Sequence, residues 1–496
     1  VSLDDFVIDR SYRDTLIKER LPKINKLKGE EKVKALNNLT IAVEKAQTKE
    51  LSKTNRIYDM LNSGSFKKTG PARQILSMPG VLQDIKGRAI PVPVLKSYGE
   101  GVDMPSYWNA LYGVRKGTVD RAVSTQDSGA LNKALLAVTR RLIVVEDDCK
   151  THKGIEVLID SKDIMDRTLA ETISGVASKN TVVDSAVLLK AKAAGVVEMK
   201  VRSPLTCESI DGVCSKCYGL LPNGELPSIG ENVGVSEGQA VTERSTQLTM
   251  QTFHTGGDAL AGGGILGGFP RTLQLLEVPA NLSGKAILSD VKGKVKKITK
   301  NPIGGFDIRV EGYGTKNDKT FTAPPGLALR VSTGDQVDKG QPLTEGPIKP
   351  QELGALTSHL DAQRYIVNEL SDIYSGDFNK KTFETVVRAV SDNAVVDSAP
   401  EDVDFERGDK TSKSYLEALN KDRQKEGLDL IKYSPYFKSI ETSNVDQEDW
   451  LTRFSTNRIK AAVQDSVSSA AYADISGKDP VPAYIYGDEF GKDRYY

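Results

Sequence analysis

Four cysteines in 496 residues, three of them in the run Cys207-x6-Cys214-x2-Cys217, constrain the fold of this chain more tightly than any other feature. A two-residue spacer lets both thiolates of a tight turn face one tetrahedral cation, and a second arm must complete the set. Cys149 is the only remaining sulfur ligand, while the spacing Cys149-x2-His152 makes His152 a competing donor. The alternatives are buried, unliganded cysteine and a disulfide. Cysteines confined to one segment and its approach favour structural zinc over both. A closed thiolate set, with Zn–S of ~2.3 Å, leaves no open position for catalysis. Its work would be to pin residue 149 to a segment nearly sixty residues later.

The length allows roughly three to four core-bearing units. No run approaches the ~18 apolar residues of a membrane span, and residues 1–10 lack the basic-then-apolar pattern of a signal peptide. A cytoplasmic location without membrane contact is expected. The formal net charge is zero, which argues against a self-sufficient nucleic-acid binder. The charge is uneven, however. Residues 1–80 hold sixteen Lys/Arg against ten Asp/Glu, and 371–496 hold seventeen against twenty-four. Two ordinary solvated surfaces would give the same counts.

Periodicity suggests a mixed α+β, multi-module chain. Residues 10–60 read as a long helical hairpin broken by Pro22 and Gly29, and 63–102 as loops with a short helix. Residues 106–145 carry no proline and predict one helix of ~40 residues, ~60 Å long. Strands are expected at 155–159 and 196–201, a helix over 231–254 running into glycine, and short strands with turns over 284–350. Beyond 351 helices dominate, with a polar loop at 396–412.

The most informative run is Gln247-Leu-Thr-Met-Gln-Thr-Phe-His254-Thr-Gly-Gly257. Helical spacing puts Gln247, Met250, Gln251 and His254 on one face. That face is polar with one methionine, so it is not a core stripe. A lone histidine is more often structural than active, but this run resembles the trigger loop of bacterial RNA polymerase β′ subunits, GTQLTMRTFHTGG. The resemblance extends colinearly over nearly all of the chain. Arg202-Ser-Pro-Leu-Thr-Cys207 and Gly212-Val-Cys-Ser-Lys-Cys-Tyr-Gly219 look like the second zinc site of β′, and Glu146-Asp-Asp-Cys149 like the turn supplying its first cysteine. In that family the histidine at 152 is not a ligand. Val114-Arg-Lys-Gly117 through Asp127-Ser-Gly129 is similar to the bridge helix, and Gly267-Gly-Phe-Pro-Arg271 to the return of the trigger loop. Arg364-Tyr-Ile-Val-Asn-Glu369 and Asp449-Trp-Leu-Thr-Arg-Phe-Ser455 also have counterparts, the latter near the clamp switch.

The resemblance implies secondary-channel rim helices at 1–70, an F-loop region at 71–104, a bridge helix at 105–147 and a zinc-binding region (a zinc ribbon) at 148–230. The trigger loop and its flanking helices would occupy 231–283. A small β sandwich-barrel module replacing a longer jaw would span 284–350, and a helical clamp and switch region 351–496. By the same resemblance His254 assists pyrophosphate departure, Met250 packs on the nucleobase, Gln247 contacts the sugar, and Gly256 and Gly257 form the hinge. Arg115, Lys116, Thr125, Gln126, Asp127 and Lys133 would be the bridge-helix residues facing nucleic acid. The structural zinc would sit on Cys149, Cys207, Cys214 and Cys217. The catalytic Mg ions need the aspartate loop NADFDGD, which is absent here. Asp402-Val-Asp404-Phe-Glu-Arg-Gly-Asp409 is read as a decoy, as is the biotin-like Val197-Glu-Met-Lys200.

The implied partners are therefore a β′ N-terminal fragment carrying that loop, β-like subunits, the DNA template with its RNA–DNA hybrid, a nucleoside triphosphate and a promoter-specificity factor. Departures from the pattern matter. Gln251 stands where the family has arginine, Arg244-Ser245 where it has Pro-Gly, and Gln126 to Ala134 diverges from TANSGYLTRR. With the split subunit that the absent aspartate loop implies, these departures look more like the multisubunit polymerases of giant bacteriophages. The rival readings are a non-catalytic zinc-binding transcription scaffold derived from β′, and an unrelated zinc-ribbon enzyme.

Overall fold

The computed structural model describes residues 1–27, 29–65, 69–84, 89–119, 125–254, 268–279, 281–282, 284–302, 304–313, 318–374, 376, 378–440 and 459–470. The chain divides into two compact units, Val1–Leu131 with Glu243–Arg271, and Asn132–Thr242 with Thr272–Tyr496.

In the first unit α1 (Ser11–Ile24) and α2 (Gly29–Glu50) form the expected hairpin. Leu16, Ile17, Leu21 and Ile24 on one helix meet Leu36, Leu39 and Val43 on the other, at the i, i+3, i+4 and i+7 spacings of an apolar stripe, and Met78 and Val81 close that core. Pro22 does not break α1 but lies in its last turn. There the missing N–H removes one helical bond, and the helix stops two residues later. Short helices α3 (Arg56–Asn62) and α4 (Thr69–Leu76) follow. The buried Arg13 guanidinium ties α1 to Ser77 O at 2.8 Å and to the Glu100 carboxylate. Burial would raise Glu100, but hydrogen bonds from Arg13 and Ser97 outweigh it and lower the carboxyl to about 2.

The long helix expected over 106–145 is described as α5 (Met104–Val119) and α6 (Thr125–Thr139). It ends earlier than expected. The apolar run Leu142-Ile-Val-Val145 is spent on strand β1 (Val144–Glu146), because β-branched residues buried beside a partner strand prefer the extended form.

In the second unit β2 (Ile155–Leu158) pairs antiparallel with β3 (Glu198–Val201), within the expected strand positions. Helix α7 (Ser185–Ala193), N-capped by Asp184, comes between them in sequence. Ile155, Ile164, Leu169, Val183, Met199 and Val201 make the core of this module. Strand β4 (Val213–Cys214) lies parallel to β1 and leads into the one-turn α8 (Ser215–Tyr218). Helix α9 (Val233–His254) is followed by α10 (Phe269–Glu277).

Strands β5 (Gly293–Lys300), β6 (Phe306–Gly312), β7 (Asp318–Ala323) and β8 (Gln336–Val337) form an antiparallel sheet in the order β7-β6-β5-β8. Val295, Ile308, Val310 and Val337 face its core, while Lys294, Lys297, Arg309 and Glu311 face water. Helices α11 (Pro350–Leu356), α12 (His359–Ile373) and α13 (Lys380–Ser391) come next. The polar loop expected at 396–412 is partly strand. β9 (Asn393–Ser398), β10 (Lys410–Thr411) and β11 (Lys432–Tyr436) pair as β10-β9-β11, packed by Leu416 and Leu419 of α14 (Lys413–Glu426). The last described helix is α15 (Ile459–Ser468). No described helix is long and apolar enough to cross a membrane.

Candidate metal centre and lid helix

The parallel β1–β4 pair sets the cysteine site, because it carries the Cys149 turn to the Cys214–Cys217 turn. All four sulfurs lie within 4.8 Å of one another. Cys149 Sγ is 3.7 Å from Cys217 Sγ and 3.8 Å from Cys207 Sγ. A tetrahedral ion with Zn–S of ~2.3 Å separates its sulfurs by about 3.8 Å, so these two separations match a zinc site. The Cys214 amide donates to Cys207 Sγ and the Cys217 amide to Cys214 Sγ, both at 3.3 Å. His152 is not part of the cluster; its Nδ1 sits 3.1 Å from Lys179 Nζ. The geometry thus favours the all-cysteine donor set over one with His152.

Two buried arginines touch this cluster and a third joins them through Ser203 and Glu384, and sequence reasoning named none of them as functional. Arg202, 1% exposed, points its Nε at Cys217 Sγ (3.3 Å) and its Nη2 at Cys149 Sγ (3.2 Å) and Cys214 Sγ (3.6 Å). Its Nη1 donates to Asp148 Oδ1 at 2.6 Å and Asn180 Oδ1 at 2.9 Å. Arg388 of α13 donates to the carbonyls of Cys207 (3.0 Å) and Ser209 (3.3 Å). Arg167 makes a two-pronged pair with Glu384, both bonds 2.7 Å, and Ser203 Oγ donates to the same carboxylate at 2.6 Å. The signal available was chemical: a buried thiolate set needs cations close by, and Arg202 stands five residues before Cys207.

Hydrogen bonding within the cluster shifts its thiols in opposite directions. Hydrogen bonds from Cys207, Cys214 and Cys217 push the Cys149 thiol far down. Hydrogen bonding to Cys149 and Cys207 pushes Cys214 and Cys217 up, and burial adds to this. Burial would also raise Asp148, but bonds from Arg202, the Lys150 amide and Lys216 hold it at about 2.

The second candidate is α9. It runs antiparallel to α6, in an approach that glycine allows. A Cβ on Gly234 would fall 2.0 Å from Thr139 O, and one on Gly238 2.7 Å from Thr139 Oγ1. Farther along, Thr242 Oγ1 is 2.8 Å from Asn132 Oδ1 and Thr246 Oγ1 3.4 Å from Ser128 Oγ. Gln247 is exposed, and its side-chain oxygen accepts from Arg244. Met250, Gln251 and His254 belong to the last turns of the same helix, and their side chains lie outside the described residues, as do Gly256 and Gly257. Arg115 on α5 and Gln126, Asp127 and Lys133 on α6 are exposed; the side chains of Lys116 and Thr125 are outside the description. Among the described residues the only grouping of three or more His, Cys, Asp or Glu able to hold a metal is the cysteine set. Asp402, in the decoy, is instead held by Arg423 at 2.8 and 2.9 Å.

Residues 101–401 match the family described as RNA polymerase Rpb1, domain 5. The chain belongs to that family. It is similar to the DNA-directed RNA polymerase subunit beta' of Lysinibacillus sphaericus (strain C3-41), 31% identical over 450 residues, covering 86% of this chain and 36% of that protein. The corresponding protein of Thermoanaerobacter sp. (strain X514) is 31% identical over 460 residues, covering 86% and 38%. That of Bacillus velezensis is 34% identical over 376 residues, covering 72% and 31%. The chain thus spans about a third of these relatives, and the likeness is to a C-terminal part of β′. These relatives are bacterial.

Proposed function

We propose that this chain supplies a nucleotide-closing lid, and the helix on which it closes, to a multisubunit DNA-directed RNA polymerase. One observation carries the reading: the helix that ends in the Gln247–His254 face lies antiparallel along α6, in a chain of the β′ family. In this reading α5 and α6 are the bridge helix and α9 is the rising arm of the trigger loop, with its hinge at Gly256 and Gly257. Lid closure excludes water and completes the site when a matched nucleotide is bound. His254 places a cation or proton donor at the departing pyrophosphate, Met250 packs on the base and Gln247 meets the sugar. Gln251 leaves one phosphate-facing charge missing, and Arg244, which bonds Gln247, would offset it in part.

The catalytic Mg ions would be held by an aspartate loop outside these residues, where they would neutralise charge on the triphosphate. Cys149, Cys207, Cys214 and Cys217 would hold a structural zinc, which when bound supplies a closed four-coordinate crosslink. β-like subunits, template DNA and a specificity factor complete the assembly.

The test is His254→Ala in the reconstituted polymerase, with single-nucleotide addition as the readout. The rate should fall by about 100-fold or more at unchanged assembly, the range of a positioned acid. An unchanged rate would sink the lid and favour the non-catalytic zinc scaffold.

A further inference from the structure

We infer that Arg202 is the fixed counter-cation of the four-cysteine site, and that it makes the site inert by protecting Cys149. The inference rests on the zinc reading above. Four thiolates around a dication carry a net charge of about −2, and burying that charge is costly unless a cation sits beside it. Arg202 meets the need with all of its donors. A guanidinium has five N–H groups, and here each has an acceptor: Cys217, Cys149 and Cys214 sulfurs, the Asp148 carboxylate and the Asn180 side-chain oxygen. The fork is also locked in place, because Asp148 is itself held by Lys216 at 3.0 Å and the Lys150 amide at 2.8 Å.

The sulfurs are not treated alike. Cys207, Cys214 and Cys217 are buried, whereas Cys149 is partly open to solvent. An electrophile, an oxidant or a competing chelator must therefore begin at Cys149. That sulfur receives the shortest of the three guanidinium contacts, 3.2 Å. A thiolate that accepts a charge-assisted N–H bond has its lone pair lowered and is a weaker nucleophile. Cys207 lies beyond the fork, and its burial protects it instead.

The experiment uses the full chain with whatever subunits accompany it, as wild type, Arg202→Met and Arg202→Lys. Zinc content is measured first. Zinc release is then followed with a chromophoric indicator after addition of N-ethylmaleimide, and the sulfur-to-cobalt charge-transfer band is recorded after cobalt substitution. Arg202→Met should release zinc about 10–100-fold faster, the scale of outer-shell substitutions at metal sites. Arg202→Lys, which keeps the charge and loses the fork, should fall between. In both variants the charge-transfer band should move to lower energy, because the sulfur lone pairs are no longer held down by N–H bonds. Should Arg202→Met not fold, the rate and band of Arg202→Lys decide by the same criteria. A wild type with far less than one zinc per chain overturns the metal reading, and this inference with it. A zinc-loaded wild type whose release rate and band are matched by the variants overturns the role of Arg202 alone.

Discussion

The cysteine site and the β5–β8 sheet are both rich in charge, yet they use it in opposite ways. Around the cysteines three charged groups are sealed from water: Arg202, Arg167 and Glu384 are 1–2% exposed, and each meets partners of fixed geometry. On the sheet, Arg309 pairs with Asp318 at 2.7 Å and Lys296 with the same carboxylate at 3.4 Å, on lysine and arginine side chains more than half exposed. Surface pairs of this kind are screened by water and salt and contribute little. Sealed pairs contribute no more when whole, but they are costly to leave half-made. The contrast separates charges that position a site from charges that keep a surface soluble.

Four changes would break or sharpen this contrast. The largest effect is expected for Cys214→Ala, since a structural zinc contributes on the order of 10 kcal/mol in small modules that depend on one. Metal analysis should find little bound zinc, and limited proteolysis should open residues 142–221. Next comes Glu384→Ala, which strands Arg167 in the interior. A loss of about 3–5 kcal/mol is expected by denaturant titration, and Arg167→Met in the same chain should restore part of it. A wild-type midpoint for Glu384→Ala would mean that the sealed pair relaxes as freely as a surface one.

Third is a pH effect at His359. Burial, with Lys413 adding to it, lowers its pKa from 6.5 to about 4, although the Ser391 carbonyl at 3.0 Å acts in the other direction. The unfolded chain then binds more protons than the folded one between pH 4 and 6.5. Stability is fully present above about 6.5 and is lost as pH falls toward 4. His359→Gln should flatten that slope in melts across the window. The smallest effect belongs to Arg309→Ala, which should shift stability by no more than about 0.5 kcal/mol. A larger loss at low salt that vanishes at high salt would promote the sheet pairs to a working network.

What could be read from the chain, and what could not, divides along the same line. The Cys214–Cys217 spacer is local geometry and Cys149 was the one cysteine left, so the cluster was legible, as were α9 and the β2–β3 strands with their simple periodicity. The end of α6 was not. Absence of proline allowed a helix to continue through 140–145, and only the pairing of Val144 with Val213 draws that run into a strand. The β9–β11 sheet was hidden because β10 spans two residues and β11 comes more than thirty residues after β9, beyond α14. Arg167 and Glu384 are 217 residues apart in sequence, and no local pattern announces such a pair. Arg202 was in plain view beside the cysteines, yet sequence alone did not aim its fork at their sulfurs.

The glycine-mediated seat of α9 turns the helix into a gear. Gly234 and Gly238 fix which side of α9 faces Thr139, and from that seat the angular position of every later residue follows at about 100° per step. One residue inserted or removed between 239 and 246 would swing the Gln247–His254 face by more than a quarter turn, while the helix itself stayed intact. Only a change of about seven residues, two full turns, would bring the face nearly back. Between Gly238 and Gln247 length can therefore change only in steps of about two turns if the face is to keep its angle.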